Sequence, residues 1–559
     1  MSGPARGDEP EGPDELTEPA GPDRDRGPAV SPGEVGDLPS ARSIRRFTAA
    51  AGKARAGASL TSLLGDVYYA VISVAIGAAA AFGIAQQVRA SLPPAPRVAP
   101  ATSLSLPALV GVALLATAGV LVSLAGRLGP VGAGGAESAW WLALPVGRRG
   151  LLRPAARRLP ILGALAGGAV VALLDAGLLG DTPRRTLLAA GAGLVVAALL
   201  VLLATVAQSV GVPRRRVALV GDVVLALSAV LAVVLALGGT QLAELPVPPG
   251  PLLGVGVLLV AVLAWVVDGR LDSMPARSLR ESGSVATQAM GAVVSLDSRE
   301  LGRALTAGSS RPVRRWVSRF HGVRGPATAL VAADLAQLRR SPRHVVQLAV
   351  AALIPWLATV VPQLANVPGV LVSVLVAGGI ASSAAGEGAR AGEMNPIIDR
   401  MLPLAAKTVR RLRMVVPGAA LLVWALLAFA GLGRWAGDPA PWLVLAVLGA
   451  PVWAAATVRA AYRPGPNWSK PLVSTPFGAL PTGVTTVVSR GPDLVVLCLL
   501  PTWIALLLRH VTPTFLMLQL AGAAIAFAVG SSIATGTLMD RLFEASGGAP
   551  GSKPAAAGR

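Results

Sequence analysis

The sequence is poor in the side chains that most often build catalytic and metal sites. Its 559 residues include one cysteine, Cys498, and three histidines, His321, His344 and His510. A single cysteine excludes a disulfide framework and a cysteine-type metal site within one chain. The histidines are far apart in sequence, and we expect each to lie in a solvated loop or at the lipid headgroups.

Short motifs with a known chemical role are also missing. The chain has no G-x-x-x-x-G-K-[ST] phosphate-binding loop, because Gly52-Lys53 is followed by alanine and lacks the upstream glycine. It has no H-E-x-x-H, C-x-x-C or G-x-S-x-G pattern. We therefore predict no catalytic residue, no cofactor, no bound metal and no ATPase of the chain's own, so the protein is not expected to be an enzyme.

Charged residues are scarce and apolar residues are abundant. Charged residues make up 14% of the chain, against about 25% in soluble proteins, and hydrophobic residues make up 53%. The net charge of +20 comes from basic residues in short loops between apolar runs, which favours membrane topology over nucleic-acid binding. The composition predicts an all-α polytopic membrane protein. A long polar leader precedes the first apolar run, so we expect no cleaved signal peptide.

Twelve apolar runs are candidates to cross a bilayer, because about 20 helical residues cover its roughly 30 Å of hydrocarbon. They predict a first transmembrane half (41–267), a basic cytoplasmic linker (268–344) and a second half (345–545). Residues 1–40 and 546–559 are small, polar and Pro/Gly-rich, which predicts disorder. The runs are 67–86, 104–125, 160–179, 186–206, 217–237 and 251–267 in the first half, and 345–361, 368–385, 414–432, 442–460, 494–507 and 514–533 in the second.

The distribution of basic residues predicts the orientation of these runs. With a cytoplasmic N-terminus, 43 of the 49 Lys and Arg residues fall in cytoplasmic segments and six fall outside. Cytoplasmic loops carry an excess of Lys and Arg, so this asymmetry predicts that both termini are cytoplasmic, in the plasma membrane of a bacterial cell.

Two local patterns refine the prediction. Residues 326–340 form an amphipathic stretch before the seventh run, with Leu330, Val331, Leu335 and Leu338 on one face, and are expected to be an interfacial helix. The eleventh run is short and contains Pro501, which predicts a broken helix.

Carboxylates inside apolar runs are the usual sign of an ion or proton path. Asp175 lies five residues before the outer end of the third run, and Asp222 lies near the start of the fifth. Asp66 and Asp493 lie at cytoplasmic ends of runs. We favour the structural interpretation, in which these carboxylates lie near the headgroups or pair across helices.

A Leu-Pro motif recurs between the second and third runs of each half. The first copy is Leu144-Pro145-Val146-Gly147-Arg148-Arg149, and the second is Leu402-Pro403-Leu404-Ala405-Ala406-Lys407. Aliphatic and aromatic residues among arginines on a cytoplasmic loop suit either the membrane interface or docking of a soluble partner. Recurrence at the same topological place favours docking.

At these residues the chain resembles the type-2 exporter permeases of ABC transporters. The resemblance rests on six runs per half, on a leucine-containing segment ending in Arg340-Ser341-Pro342-Arg343, and on an acidic residue ahead of each Leu-Pro motif, Glu137 or Glu393. It implies that a separate ATPase docks near residues 137–158 and 393–413. The implied docking residues are Glu137, Leu144, Pro145, Arg148, Arg149, Leu151, Leu152, Leu402, Pro403, Lys407 and Arg410.

The second copy departs from the family pattern, since Ala405-Ala406-Lys407 replaces the expected small, polar and arginine residues. The chain is also similar to fused two-half, permease-like membrane proteins of GC-rich bacteria. Two alternatives stay open. One is a secondary transporter of the major facilitator type, although the turn Gly126-Arg127-Leu128-Gly129-Pro130 lacks that family's aspartate. The other is a non-transporting membrane scaffold whose basic central segment binds lipid or a partner. The sequence predicts no substrate.

Overall fold

The computed structural model describes residues 39–56, 102–294, 322–462, 472–475, 478–481 and 491–532, with isolated residues between 75 and 90 and residue 304. Most of the first predicted run and of the two predicted disordered ends lies outside the described residues, as do Asp66 and His321.

Helices dominate the described residues, and we number them in chain order. They are α1 Ala41–Ala56, α2 Leu106–Leu128, α3 Gly135–Trp140, α4 Arg148–Leu174, α5 Pro183–Ser209, α6 Arg214–Leu237, α7 Gly250–Arg270, α8 Ala276–Val294, α9 Pro326–Arg340, α10 Pro342–Val360, α11 Val367–Ala385, α12 Glu387–Met394, α13 Pro396–Arg400, α14 Ala406–Leu412, α15 Val415–Ala436, α16 Pro439–Ala461, α17 Pro492–Cys498, α18 Leu500–Leu508 and α19 Pro513–Ser531. A 3-10 turn, Trp141–Ala143, follows α3, and a π turn, Asp175–Leu179, ends α4. Helix α1 belongs to a separate compact unit of the chain.

Ten helices of the described residues are long and apolar enough to cross a membrane, so the chain is a multi-pass helical membrane protein. They correspond to predicted runs two to ten and run twelve. Several begin before the apolar run: α4 starts at Arg148, whereas the run starts at residue 160. The apolar run covers only the part of a helix that must lie in lipid. Water-exposed turns make the helix longer than the run.

The eleventh predicted run is a broken helix, as Pro501 predicted. Helix α17 ends at Cys498 and α18 begins at Leu500, with Pro501 in its first turn. The carbonyl oxygen of Cys498 accepts a hydrogen bond from Gln519 Nε2 on α19, at 3.1 Å. Gln519 is fully buried, and its Oε1 accepts from the Thr502 hydroxyl at 2.8 Å. The neighbouring helix thus satisfies a polar group that lipid could not.

A short antiparallel hairpin pairs β1 Leu472–Thr475 with β2 Gly478–Pro481 and was not predicted from the sequence. It lies in the segment between the tenth and eleventh runs. Four-residue strands are too short to give a clear alternating pattern.

Helix packing repeats between the halves. In the first half α4 packs against α5, and α5 packs against α7; in the second half α15 packs against α16, and α16 against α19. These are the third, fourth and sixth runs of each half. The shared arrangement agrees with the approximate internal repeat that the Leu-Pro motif indicated.

The second half has the larger core. Trp424 and Trp453 meet edge to face, with ring centroids 5.6 Å apart and planes at 80°. Trp442 packs near Phe429, with a centroid distance of 6.4 Å. Aromatic pairs in these geometries stabilise a core beyond the area that they bury.

Helices α2 and α6 approach each other closely because glycines lie at their contact. A Cβ built on Gly119 would lie 2.8 Å from the backbone nitrogen of Leu225, and one on Gly221 would collide with the backbone of Ser123. Gly167 of α4 likewise lies against Ala197 and Gly193 of α5. Small residues permit this approach in membranes, where dispersion contacts stabilise helix association.

Replacing Gly221 by alanine should therefore destabilise the protein. The added methyl group would force α2 and α6 apart, at a cost of about 1–3 kcal/mol for overpacking. Gly254 on α7 is the matched control, because no atom lies within 4 Å of its built Cβ. We expect Gly221→Ala to lower the Tm of detergent-purified protein and Gly254→Ala to leave it unchanged or slightly higher. Equal Tm values for the two variants would contradict the close contact.

Candidate coupling surface

The first Leu-Pro motif forms a corner between a short helix and a long one; residues 135–153 are called the first corner. Helix α3 and its 3-10 turn end before Leu144, which is extended, and α4 begins at Arg148 with Gly147 as its N-cap. The Glu137 carboxylate accepts a hydrogen bond from the backbone N–H of Gly134 at 3.3 Å. Glu137 therefore caps the N-terminus of α3.

The second motif forms a corner of the same kind; residues 396–413 are the second corner. Helix α13 ends at Arg400, Ala405 is the extended N-cap, and α14 begins at Ala406. In both corners the N-cap lies three residues after the motif leucine, Leu144 or Leu402. The motif thus specifies one local structure twice, even though its residues after proline differ.

Each corner exposes large apolar side chains. Trp140 is 70% exposed and Leu144 is 38% exposed in the first corner, and Ile397 and Met401 are 70% and 80% exposed in the second. Pro145 and Pro403 are also exposed. The predicted docking residues include Leu144 and the two prolines but not Ile397 and Met401, although both lie within five residues of the second motif.

The arginines of the first corner bind the segment that follows α7. Arg149 forms ion pairs of 2.5 Å, and Arg153 of 2.6 Å, with Asp268 at the end of α7. The backbone N–H of Arg149 donates to Asp272 at 2.8 Å, and Arg148 donates to the carbonyl of Met274 at 3.2 Å. These contacts fix the start of the third run to the end of the sixth.

Leu151 and Leu152, which the resemblance placed on the docking surface, are buried at 2% and 1% exposure. Leu152 packs in an apolar cluster with Leu142, Leu271, Met274 and Leu279. As the structure stands, the two leucines hold the corner on its support and offer no surface to a partner. The sequence pattern could not separate these roles, because both require leucine.

Basic residues of the second corner differ in their surroundings. Lys407 is exposed. Arg410 is half-buried, donates to the carbonyl of Ser532, and lies over the ring of Tyr462 at 4.9 Å. Of the two, Lys407 is the one open to a partner.

A buried charge cluster supports the second corner. Arg413 forms ion pairs with Asp334 of α9 and, at 2.7 Å, with Asp399 of α13, and also donates to the carbonyl of Gly388 at 3.1 Å. Asp334 and Arg413 are 4% and 8% exposed at their side chains. Helix α9 has the predicted bounds, but its buried face contains Leu330 and Asp334, while Leu335 is 44% exposed. Asp334 lies four positions after Leu330, so helical spacing places it on the same face of α9 as that leucine. This sequence signal was overlooked.

The pKa of Asp334 is raised to about 6, because burial disfavours its charged form more than Arg413 favours it. Near neutral pH the Asp334 carboxylate is therefore charged, although burial has removed its hydration. The charge of this cluster therefore changes at pH values that a cell's cytoplasm or an acidic medium can reach.

The two halves meet through α6 and α10. At the predicted cytoplasmic end, Asp222 accepts from the Ser123 hydroxyl and pairs with Arg127, both at 2.7 Å, and Arg343 of α10 lies within electrostatic range of both charges. The prediction that Asp222 pairs across helices is confirmed. At the opposite end, the backbone N–H of Leu104 donates to the carbonyl of Val360 at 3.2 Å, within an apolar cluster.

His344, next to Arg343, is buried at 8% exposure, and its Nδ1 has no hydrogen-bond partner among the described residues. The alternative that this histidine lies in a solvated loop is therefore wrong. It lies at the predicted cytoplasmic end of α10, where the second half packs on the first, and the sequence alone gave no sign of that contact.

Asp175 is the most buried of the carboxylates that were singled out, at 2% exposure. Its Oδ2 accepts from the Thr186 hydroxyl at 2.6 Å, and its Oδ1 has no hydrogen-bond partner among the described residues. Asp181 lies beside it, and burial together with the charge of Asp175 raises the pKa of Asp181. At the predicted cytoplasmic end of the eleventh run, Asp493 pairs with Arg459 at 2.9 Å, as expected.

The chain belongs to a family of unknown function, DUF6297, whose family model matches residues 99–471, more than half of the chain. The match extends from before α2 through both corners and α16. No curated protein and no solved structure matches the chain.

The charge cluster predicts a specific pH dependence of stability. A pKa raised above its unfolded value gives stability that is present below about pH 4 and is lost as the pH rises through about 6. The Tm of the unmodified chain minus that of Asp334→Asn should therefore fall between about pH 4 and 6 and level off above.

Asp438→Asn provides the baseline, because Asp438 lies outside the cluster and its side chain only caps α16. The Tm of each variant would be measured in detergent across the pH series. A flat difference curve for Asp334→Asn, matching that of Asp438→Asn, would refute the assignment.

Proposed function

We propose that this chain is the membrane-spanning permease subunit of an ABC-type exporter, and that a separate ATPase docks on the first and second corners. The observation that carries the proposal is that both Leu-Pro motifs form the same corner, at the same place in each half, with an exposed apolar tip. In this proposal the two halves make up the whole membrane part, and two ATPase copies bind below them.

The exposed residues of the two corners carry the docking, and they include residues beyond those that the resemblance implied. Trp140, Leu144 and Pro145 form the tip of the first corner, and Met401 and Pro403 lie at the tip of the second. Aromatic residues and methionine are enriched at the centres of protein interfaces, where they bury much area without a charge to desolvate. Lys407 supplies a charge at the edge of the second corner.

Both corners are attached stiffly enough to transmit a push. The first is joined to the end of α7 through Arg149, Arg153 and Asp268, and the second to α9 through Arg413 and Asp334. Because ion pairs hold both corners and packed leucines also hold the first, a displacement at a tip would move the attached spans together and would not merely bend a loop.

ATP-driven transport requires two conformations of the membrane part. The state of the bound ATPase must change which of the two conformations is more stable. In the described conformation the halves meet at both ends, where Arg343 of α10 lies within electrostatic range of the Asp222–Arg127 pair on one side and through the Leu104–Val360 hydrogen bond on the other. Movement of the corners would open these contacts in turn. The substrate class stays open.

The proposal predicts that Met401→Asp weakens ATPase binding, because it places a desolvated charge in an apolar contact. The chain would be co-expressed with an ABC ATPase subunit encoded beside it, and co-purification and ATP hydrolysis would be measured. We expect at least about a tenfold loss of affinity, which corresponds to about 1.4 kcal/mol. Lys407→Glu should weaken binding less, as expected for a charge at the edge of an interface.

Two variants outside the corners control for general effects. Met290→Asp changes a methionine on α8 that is 63% exposed, and Arg339→Glu reverses an exposed charge at the end of α9. Both should bind the ATPase like the unmodified chain. Equal losses in the corner and control variants would remove the support for docking at the corners.

A proton-coupled carrier is the second candidate, and the burial of Asp175 favours it. A carboxylate with 2% exposure and one oxygen without a hydrogen-bond partner in the described residues is a natural proton acceptor. The neighbouring Asp181 would share its proton.

The two candidates make opposite predictions for proton flux. Proteoliposomes containing the chain alone would be given a potassium diffusion potential, and internal pH would be followed with a trapped dye. The carrier predicts proton uptake above that of protein-free vesicles, lost in Asp175→Asn and kept in Glu244→Gln, whose carboxylate is 66% exposed at the same end. The permease predicts no uptake in any of the three proteins.

A further inference from the structure

A groove opens in the first half between α4, α5 and α7, which are its third, fourth and sixth predicted runs. It has a volume of about 550 Å³, within the range of small-molecule sites. This groove is separate from the contacts between the halves and from both exposed tips.

Along the groove, the side chains on one face of α4 change from charged to apolar. Arg153, Arg157, Ile161 and Leu165 all line it, at steps of four residues, so they lie on one helix face. Ile161 and Leu165 are 56% and 59% exposed. The three steps span about 18 Å at 1.5 Å per residue, from the guanidinium groups to the apolar floor.

The other two helices, α5 and α7, are oriented so that their predicted cytoplasmic ends lie at the charged end of the groove. On α7 the groove is lined by Asp268 at the charged end and by Val260 further in, and on α5 by Leu202 and then Leu194. All three helices therefore place their predicted cytoplasmic ends at the mouth. Trp265, 73% exposed on α7, also lines the groove near this end, as aromatic side chains at a membrane interface do.

Helix length places the mouth at the headgroups. From Pro160 to Leu179 the third run has 20 residues, which cover about 30 Å of hydrocarbon. Arg157 precedes this stretch by less than one turn. Its guanidinium lies at the level of lipid phosphates, with the apolar part of the groove open to the acyl chains below.

Arg153 and Arg157 differ in their electrostatic state. Arg153 is paired with Asp268 at 2.6 Å, whereas Arg157 forms no ion pair with any described residue. An exposed guanidinium at headgroup level attracts anionic lipid, and basic pockets between membrane helices bind such headgroups. Charge complementarity therefore selects an anionic lipid over a zwitterionic one.

We propose that this groove is a binding site for one anionic phospholipid of the predicted cytoplasmic leaflet. The phosphate contacts Arg157, and one acyl chain lies along Ile161 and Leu165 between the three helices. The proposal is independent of the proposed function, since it requires neither an ATPase nor transport.

The headgroup contact is tested by comparing two neighbouring arginines. Phosphatidylglycerol and phosphatidylcholine would each be titrated into delipidated protein in detergent, and bound lipid counted by native mass spectrometry. We expect phosphatidylglycerol to bind more tightly, and Arg157→Gln to weaken it about fivefold, since one basic residue near a membrane surface contributes about that factor. Arg158→Gln should change it less than about twofold, because Arg158 is exposed but does not line the groove.

The acyl-chain contact is tested in the same assay by filling the groove. Ile161→Trp should reduce binding of the anionic lipid, while Leu162→Trp, at a position 59% exposed and outside the groove, should not. Equal binding of the two lipids overturns the proposal. Equal losses in Arg157→Gln and Arg158→Gln also overturn it, as they would indicate diffuse surface attraction, and so do equal effects of the two tryptophan variants.

Discussion

The pairing of arginine with aspartate at the predicted cytoplasmic ends of the spans is the constraint on which the corners depend. A guanidinium taken out of water without a partner costs several kcal/mol, so an arginine that leaves water near a span end fixes the position of a carboxylate. Asp268 serves Arg149 and Arg153, and Arg413 joins Asp334 to Asp399. Elements far apart in sequence are held together in this way: the start of the third run to the end of the sixth, and the helix before the seventh run to the second corner.

The two halves meet this constraint with different residues, although their helices pack alike. In the first half the cationic partners of Asp268 are about half exposed, with 47% and 43% of their side-chain surface accessible. In the second half the corresponding support is buried, and the pKa of Asp334 is raised to about 6. Salt screens exposed pairs far more than buried ones, so high ionic strength would loosen the first corner before the second. A partner that binds both corners would meet two supports of unequal stiffness.

Much of this architecture could be predicted from the sequence. Apolar length predicts the spans because lipid leaves a helix no alternative, and Pro501 predicts the break in the eleventh run because it removes a backbone donor. The Leu-Pro motif predicts where the corners lie. Side-chain surroundings could not be predicted in the same way. Leu144 and Leu152 are both leucines of the first corner, yet one is exposed and the other is buried against Leu271 and Met274. Which of the two leucines is buried depends on contacts with the central segment, residues 268–344. No local sequence pattern predicts those contacts.

The break between α17 and α18 also bears on how the second half can change shape. A continuous helix resists bending because each turn shares its hydrogen bonds with the next. Here, the bond from Gln519 to the carbonyl of Cys498 takes the place of a bond within the helix. Rotation of α18 relative to α17 would therefore disturb side-chain contacts, among them the bond from Trp503 Nε1 to the carbonyl of Val495 at 3.1 Å, while the backbone hydrogen bonds of both segments stay intact. The eleventh run thus has a joint at membrane depth, whereas its counterpart in the first half, α6, is one uninterrupted rod.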